Sequence, residues 1–340
     1  MAQRAMQLHD ASALRRRVSE AGATPKQAAR ALRGWLRGRG MLADAEKRDA
    51  PFGRRVRAEL VELERGLADL ARIVERVPGD DGAERCVVAL ADGARVEAVA
   101  LPSGSACLSS QVGCAVGCGF CATGLGGVAR NLTALEIAAT FAALARERPL
   151  SRALFMGMGE PAHNAAAVLE AARLLALDGD LGRHHVVVST VGDRRLFDAL
   201  DRDPLRPALA LSLHTADDAL RRELLPRAQP IPVAELVDLG AAYAARAAYP
   251  IQAQVALLAG VNDADEQLLA LASLVRGRPF VLNLIPWNQV AGLAFERPSL
   301  ERCRAAVRLL MRAGVLAKLR WSAGLGAGAA CGQLTATRPS

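Results

Sequence analysis

Six short, continuously apolar runs alternate with longer amphipathic stretches through the last two thirds of the chain, and this constrains the fold more than any other feature. The runs span 153–157, 185–190, 208–214, 252–258, 280–286 and 315–321. Helix-like stretches lie before and between them, at 133–148, 163–177, 193–202, 217–224, 233–247, 263–276 and 299–313. Runs that are apolar on both faces predict parallel strands covered on both sides. Repeated βα units close as a doubly wound sheet or as a barrel. The barrel is favoured by where polar residues fall. Glu160, Ser189, Thr190, Ser212, His214 and Asn288 recur at the ends of the runs. In a barrel those ends converge on one face, whereas an open sheet would spread them along a line. No repeat of solenoid type is visible. With 340 residues the chain has room for one oversized domain, or a large one and a small one.

The N-terminal part reads differently. Residues 1–77 read as helical, with Leu60, Leu63, Leu67 and Leu70 at helical spacing. The cluster VPGDDG at 77–82 is a natural boundary. Residues 86–101 then read as a hairpin around an Asp92-Gly93 turn. Residues 1–57 hold 14 Lys and Arg against 5 Asp and Glu, while the remainder holds 29 against 30. A basic module on a near-neutral body predicts an acidic partner, RNA first. A solvated charged face in an arginine-biased chain is the competing account. Trp35 fits either stacking on RNA or anchoring one helix on another. No run reaches the roughly 18 apolar residues of a membrane span, and the N-terminus lacks the apolar core of a secretory signal. The chain is therefore expected to be cytoplasmic. Its seven cysteines, odd in number and mostly clustered, do not form a secreted disulfide framework.

Three of those cysteines, Cys114, Cys118 and Cys121, lie within eight positions in SSQVGCAVGCGFCATG. Thiolates are soft ligands for zinc and for iron–sulfur clusters. Structural zinc usually takes paired C-x₂-C knuckles, and no second pair is present. One reading is a zinc loop completed by a distant residue. The other is a 4Fe–4S cluster with one iron left open, able to bind the amino and carboxylate groups of S-adenosylmethionine. Gly113, Gly117 and Gly119 let the loop wrap closely, and Phe120 is placed to shield a cluster from water. The C-x₃-C-x-aromatic-C pattern after a strand resembles the radical-SAM superfamily.

The flanking segments narrow the resemblance. CLSSQVGCAVGCGFCATG, RNLTALEI, FMGMGEP, SLH, NLIPWN and ACGQL occur in that order. Together, over about residues 84 to 336, they resemble the RlmN/Cfr family of radical-SAM RNA adenine methyltransferases. The resemblance implies an α/β fold: a partial (β/α)6 barrel over 84–340 with a small helical RNA-binding domain at 1–77. It implies methylation of an adenine carbon, C2 favoured, in rRNA or tRNA. Cys331 would carry the methyl group as a thioether. Cys107 would resolve the resulting protein–RNA crosslink, leaving a Cys107–Cys331 disulfide, and Glu97 would remove the adenine proton. Cys114, Cys118 and Cys121 would hold the cluster. Gly159, Glu160, Ser189, Ser212, Leu213, His214 and Asn288 would line the site of S-adenosylmethionine. The implied partners are RNA and a one-electron donor such as flavodoxin or ferredoxin, with the chain acting as a monomer.

Several residues have plainer readings. Glu97 alternates with apolar neighbours and alone reads as solvent-facing. His214 alone reads as a satisfied histidine at a barrel end. Trp287 reads as packing, and Cys86 and Cys303 as core. The segment 320–334, RWSAGLGAGAACGQL, lacks the Arg-Gly-x-Asp-Ile stretch usual in the family, and QVAGLAFERPS lacks the usual Pro-Tyr. These departures keep open C8 methylation, or a diverged radical-SAM enzyme on another substrate. A binding module with a merely structural cluster has no use for Cys107 and Cys331.

Overall fold

In the computed structural model, residues 10–46 and 51–335 are described. Three helices come first. Helix α1 (Ala11–Glu20) starts where the Asp10 side chain accepts from the Ala13 N–H. Helix α2 (Pro25–Leu36) opens with a Thr24–Gln27 capping box and proline in its first turn. Helix α3 (Arg54–Leu70) buries Val56, Leu60, Leu63, Leu67 and Leu70, the heptad-like stripe seen in the sequence.

The chain then passes straight into strand β1 (Ala71–Pro78), where the sequence reading expected helix to residue 77. Ile73, Val74 and Val77 are stiff β-branched residues, and pairing with β2 (Glu84–Leu90) decides their conformation. Strand β3 (Arg95–Ala100) completes the expected hairpin, with Gly93 at φ +85° in its turn. Strand β4 (Ser105–Cys107) runs antiparallel to β3 and parallel to β7 (Arg152–Phe155). A separate small ladder, β5 (Gln111–Gly113) with β6 (Val128–Asn131), closes the base of the cysteine loop.

From β7 onward the sheet runs in chain order: β8 (Val186–Thr190), β9 (Ala208–Ser212), β10 (Ile251–Leu257), β11 (Phe280–Pro286) and β12 (Ala317–Leu319), each parallel to the last. These are the six runs expected. With β4 they make seven parallel strands in a ten-stranded sheet whose end strands do not pair, an open barrel. The connecting helices are α4 (Ala134–Ala145), α5 (Ala165–Arg173), α6 (Arg194–Arg202), α7 (Asp218–Leu224), α8 (Val233–Ala247), α9 (Asp265–Val275) and α10 (Leu300–Arg312). None of the described helices is long and apolar enough to cross a membrane.

Side chains alternate across each strand. Val186, Val188, Leu209, Leu211, Val255 and Leu284 join the main core beneath the helices. Leu154, Val187, Ala208 and Ala210 form a small separate cluster on the other face. Above that cluster, the same inward positions are taken by Ser189 and Ser212, which face a cavity. The N-terminal helices belong to the main core: Leu14, Trp35 and Leu60 are continuous with Phe141 and Leu144 of α4. Trp35 is buried, so it acts as the helix anchor rather than a surface platform. Arg37 fixes the end of α2 by donating to the carbonyl oxygens of Leu150 (2.9 Å), Gly179 (2.7 Å) and Asp180 (2.6 Å). Cys86 and Cys303 are fully buried core residues, as the sequence suggested.

Candidate active site

The cysteine loop is shaped by close backbone contacts. Gly113 has φ +85°, and a Cβ there would lie 2.0 Å from the Gly127 carbonyl oxygen. The Cys114 N–H donates to that same oxygen (2.8 Å). Across the loop, a Cβ on Gly124 would lie 2.8 Å from the Gly117 Cα. Glycine is thus sterically demanded at these crossings. Cys114, Cys118 and Cys121 are free, half-buried and border one cavity. They sit among Val116, Phe120, Leu225, Leu258 and Trp287, a second apolar cluster. Trp287 is buried, donates from Nε1 to the Phe120 carbonyl oxygen (2.9 Å) and lines the cavity as well.

Burial dominates the chemistry of these thiols. It pushes Cys114 up to about 11 and Cys118 well above the ordinary thiol range, with neighbouring acidic groups adding to it. Cys121 is also raised, against hydrogen bonds from Thr123. The raised values favour the protonated thiols, and a bound cation would displace those protons. Among the described residues no three His, Cys, Asp or Glu side chains are placed as ligands of a single ion. Three soft donors on one tight loop suit an iron–sulfur cluster.

The cavity, open to solvent, lies at the C-terminal ends of the parallel strands. Gly159 and Glu160 follow β7, Ser189 and Thr190 end β8, Ser212 ends β9, and Asn288 follows β11. Gly159 has φ +101°, and a Cβ there would lie 2.7 Å from both Gln111 and the Ser110 hydroxyl. Glu160 is almost wholly buried. Its carboxylate accepts from Thr190 Oγ1 (2.5 Å) and from the N–H groups of Ala162 (3.0 Å) and Val191 (3.0 Å). Burial raises its pKa and these donors oppose the rise. A carboxylate has about four acceptor positions, so one stays open for an ammonium group.

His214 is held in the left-handed region at φ +64° and packs edge-on against Phe120 with ring centroids 4.8 Å apart. Burial, and secondarily the Arg221 charge, lower its pKa to about 3. The ring is neutral at physiological pH. Its Nδ1 accepts from the Ala256 N–H (3.1 Å), which leaves Nε2 as the protonated donor. Leu213 is fully buried and does not line the cavity; its carbonyl oxygen accepts from Arg221 (3.1 Å).

Asn288 lines the cavity but is already engaged. Its amide donates to the Cys331 carbonyl oxygen (2.9 Å) and to Ser322 Oγ (2.8 Å), while its oxygen accepts from Arg297 (2.7 Å). It is a clamp on the C-terminal segment. The Ala122 N–H donates to the Gly332 carbonyl oxygen (2.8 Å) and Thr123 Oγ1 to that of Leu334 (2.7 Å). The segment carrying Cys331 is thereby tied to the cysteine loop.

Cys331 is exposed and stands between two cavities. The first holds the three loop cysteines. The second is bordered by Cys107, Cys331, Arg320 and Trp321. Both thiols are free. Burial pushes Cys107 up to about 12, helped by the nearby Cys331 and opposed by the Arg320 guanidinium. Glu97 lines neither cavity. It is fully buried, not solvent-facing: Arg85 donates to Oε1 and the Thr335 N–H to Oε2 (2.7 Å). Burial raises its pKa against both donors. Sequence reasoning missed Gln254, Arg320 and Trp321. Gln254 shares the period-2 face of β10 with Ala256, a usable signal; Arg320 and Trp321 sit in a run read only as strand.

Residues 108–272 match the model of the radical SAM superfamily. Members of that superfamily use a 4Fe–4S cluster and S-adenosylmethionine, which suits the donor set and the cavity. A probable RNA methyltransferase of Thiobacillus denitrificans is 49% identical over 323 residues, covering 95% of this chain and 89% of that protein. One of Chromobacterium violaceum is 50% identical, covering 94% and 91%. The crystal structure of a radical SAM methyltransferase from Sphaerobacter thermophilus superposes with a TM-score of 0.82 at 35% identity, covering 96% of this chain and 98% of that one. By shared sequence and shared fold, the chain belongs to the radical SAM superfamily, among its methyltransferases.

Proposed function

We infer that the chain methylates an adenine carbon of rRNA or tRNA, C2 favoured, by the route of the RlmN/Cfr family, with Cys331 as the methyl carrier. One observation supports this above the rest: Cys331 lies at the junction of the cavity holding the cluster cysteines and the cavity holding Cys107. The relatives named as probable RNA methyltransferases support RNA as substrate.

Cys114, Cys118 and Cys121 would hold a 4Fe–4S cluster, which when bound with S-adenosylmethionine would supply one-electron chemistry for hydrogen abstraction. Glu160 accepts from the amino group of the cofactor. Ser189, Ser212 and the Nε2–H of His214 present polar groups along the cofactor's length. Asn288 holds the Cys331 backbone at the shared wall. Cys331 carries the methyl group as a thioether and becomes bonded to the base through the methylene carbon. The Cys107 thiolate then attacks the Cys331 sulfur. The sulfur–carbon bond would break as the disulfide forms, the proton taken from the base would be replaced by one on the methylene carbon to complete the methyl group, and the one surplus electron would leave through the electron-transfer partner. For Glu97 to take the adenine proton, the Thr335 clasp over its carboxylate must open. The exposed arginines of the N-terminal helices contact the RNA backbone. A flavodoxin- or ferredoxin-like protein supplies the electrons, and the chain acts as a monomer.

Nucleoside mass spectrometry of rRNA and tRNA from cells with and without the protein tests this reading. A 2-methyladenosine present only with the protein is expected, and an 8-methyl isomer would move the position. Identical nucleoside profiles would overturn the assignment.

A further inference from the structure

We propose that the second cavity is a nucleobase chamber, in which an unpaired base of single-stranded RNA lies against the Trp321 indole, beside the Cys107 and Cys331 thiols. This rests on the reading of RNA as substrate and adds to it the place and the platform.

The three tryptophans divide sharply. Trp35 is 2% exposed and Trp287 4%, whereas Trp321 is 50% exposed and lines the second cavity. A half-exposed indole on a cavity wall offers an unused π face. The rest of the lining is mainly apolar, with Val99, Leu101, Leu154 and Leu334 prominent. Its single charged side chain is Arg320. That guanidinium has no carboxylate within ion-pair distance among the described residues, and its side-chain contact is the Met156 sulfur at 3.9 Å. A chamber with one aromatic face, apolar walls and one free cation suits a flat ring joined to an anion, which is a nucleotide.

The backbone around Trp321 is held in place. Ser322 accepts from Asn288, the Gly324 N–H donates to Asp81 (2.7 Å), and Arg85 donates to the Ala327 carbonyl oxygen (2.9 Å). The glycine- and alanine-rich stretch 323–330 carries no charged side chain of its own. These fixed points leave the indole at the cavity rather than folded into the core. Two occupants compete for such a place. The cofactor is disfavoured because Glu160, Ser189, Ser212 and His214 border only the first cavity and Trp321 only the second, while Cys121, Arg320 and Cys331 border both. A base in a duplex is disfavoured because its faces are already stacked.

The test uses the anaerobically reconstituted holoenzyme. Tryptophan emission is titrated with a short adenine-containing single-stranded RNA, with the same RNA as a duplex, and with S-adenosylmethionine alone. Quenching by the single strand but not by the duplex is expected. Trp321→Phe should abolish the quench while keeping KM for RNA within about two-fold, since a phenyl ring still stacks. Trp321→Ala should raise KM about ten-fold or more, with a smaller change in kcat and an unchanged circular dichroism spectrum. An RNA-dependent quench undiminished in Trp321→Phe, a quench by S-adenosylmethionine alone that Trp321→Phe removes, or a Trp321→Ala KM within about two-fold of the parent would overturn the chamber, since a cofactor quench that survives Trp321→Phe belongs to Trp287 on the first cavity. The two readings fail separately. Methyl transfer without quenching removes the chamber and keeps the activity. Quenching without methyl transfer keeps the chamber and removes the activity.

Discussion

The two cavities meet at Cys331 yet are built by different means. The first is assembled from the ends of parallel strands and from a loop whose glycines admit no side chain. Its polar groups are fixed by local geometry, as with Glu160 between Thr190 and Val191. The second is enclosed by a C-terminal segment strapped down through distant partners: Asn288, Thr123, Asp81, Arg85 and Glu97. A rigid wall suits a cofactor that is the same in every turnover.

Substitutions on the two sides should therefore separate. The largest effects come from the cysteines. Cys118→Ala should abolish cluster binding, read as lost iron and lost visible absorption, and with it all cofactor cleavage. Cys331→Ala should keep the cluster and keep cofactor cleavage to 5′-deoxyadenosine while abolishing methyl transfer. If Cys331→Ala also loses its cluster, the two sides are not separable.

Next comes the rigidity of the first cavity. Gly159→Ala places a Cβ 2.7 Å from Gln111 and Ser110 at φ +101°. It should destabilise the protein by about 1–3 kcal/mol and weaken S-adenosylmethionine binding. Thermal denaturation and equilibrium dialysis read the two effects, and an unchanged melting temperature would contradict the steric reading.

A pH-dependent effect belongs to His214. Its folded pKa of about 3 lies below the unfolded value, so the unfolded chain binds the extra proton as pH falls. Its contribution to stability is full above about pH 6.5 and is lost as pH falls toward 3, by at most about 1.4 kcal/mol per pH unit. His214→Asn should flatten that part of the urea-midpoint profile between pH 6.5 and 4.

The smallest effect is at the surface. Arg16, Arg54 and Arg55 are exposed on the N-terminal helices. Reversing all three to Glu should weaken RNA binding and reduce its salt slope by about 1 per lost phosphate contact, with kcat unchanged. Deleting the helices outright is a poor substitute, because Leu60 and Trp35 belong to the main core.

The contrast also explains what was legible before the fold was known. The cysteine loop, Gly159, Glu160, Ser189, Ser212 and His214 are local signals: each sits in a short motif at a strand end. The six parallel strands were legible for the same reason. What escaped was decided by partners far along the chain. Strand β1 exists because β2 pairs with it, against an expectation of helix. Glu97 is buried because Thr335, 238 residues away, covers it. Asn288 was expected at the cofactor and does border that cavity, yet its amide holds Cys331, 43 residues on. Trp321 looked like the end of a strand because nothing adjacent marks a cavity wall. Periodicity reports neighbours along an element and is blind to these long-range contacts.

The most direct test of the account is mass spectrometry of the tryptic peptide containing Cys331, after anaerobic incubation of the holoenzyme with S-adenosylmethionine and reductant but no RNA. A methyl group on the Cys331 sulfur, absent from Cys107, is the predicted result. An unmodified Cys331 in a preparation that goes on to methylate RNA would contradict it.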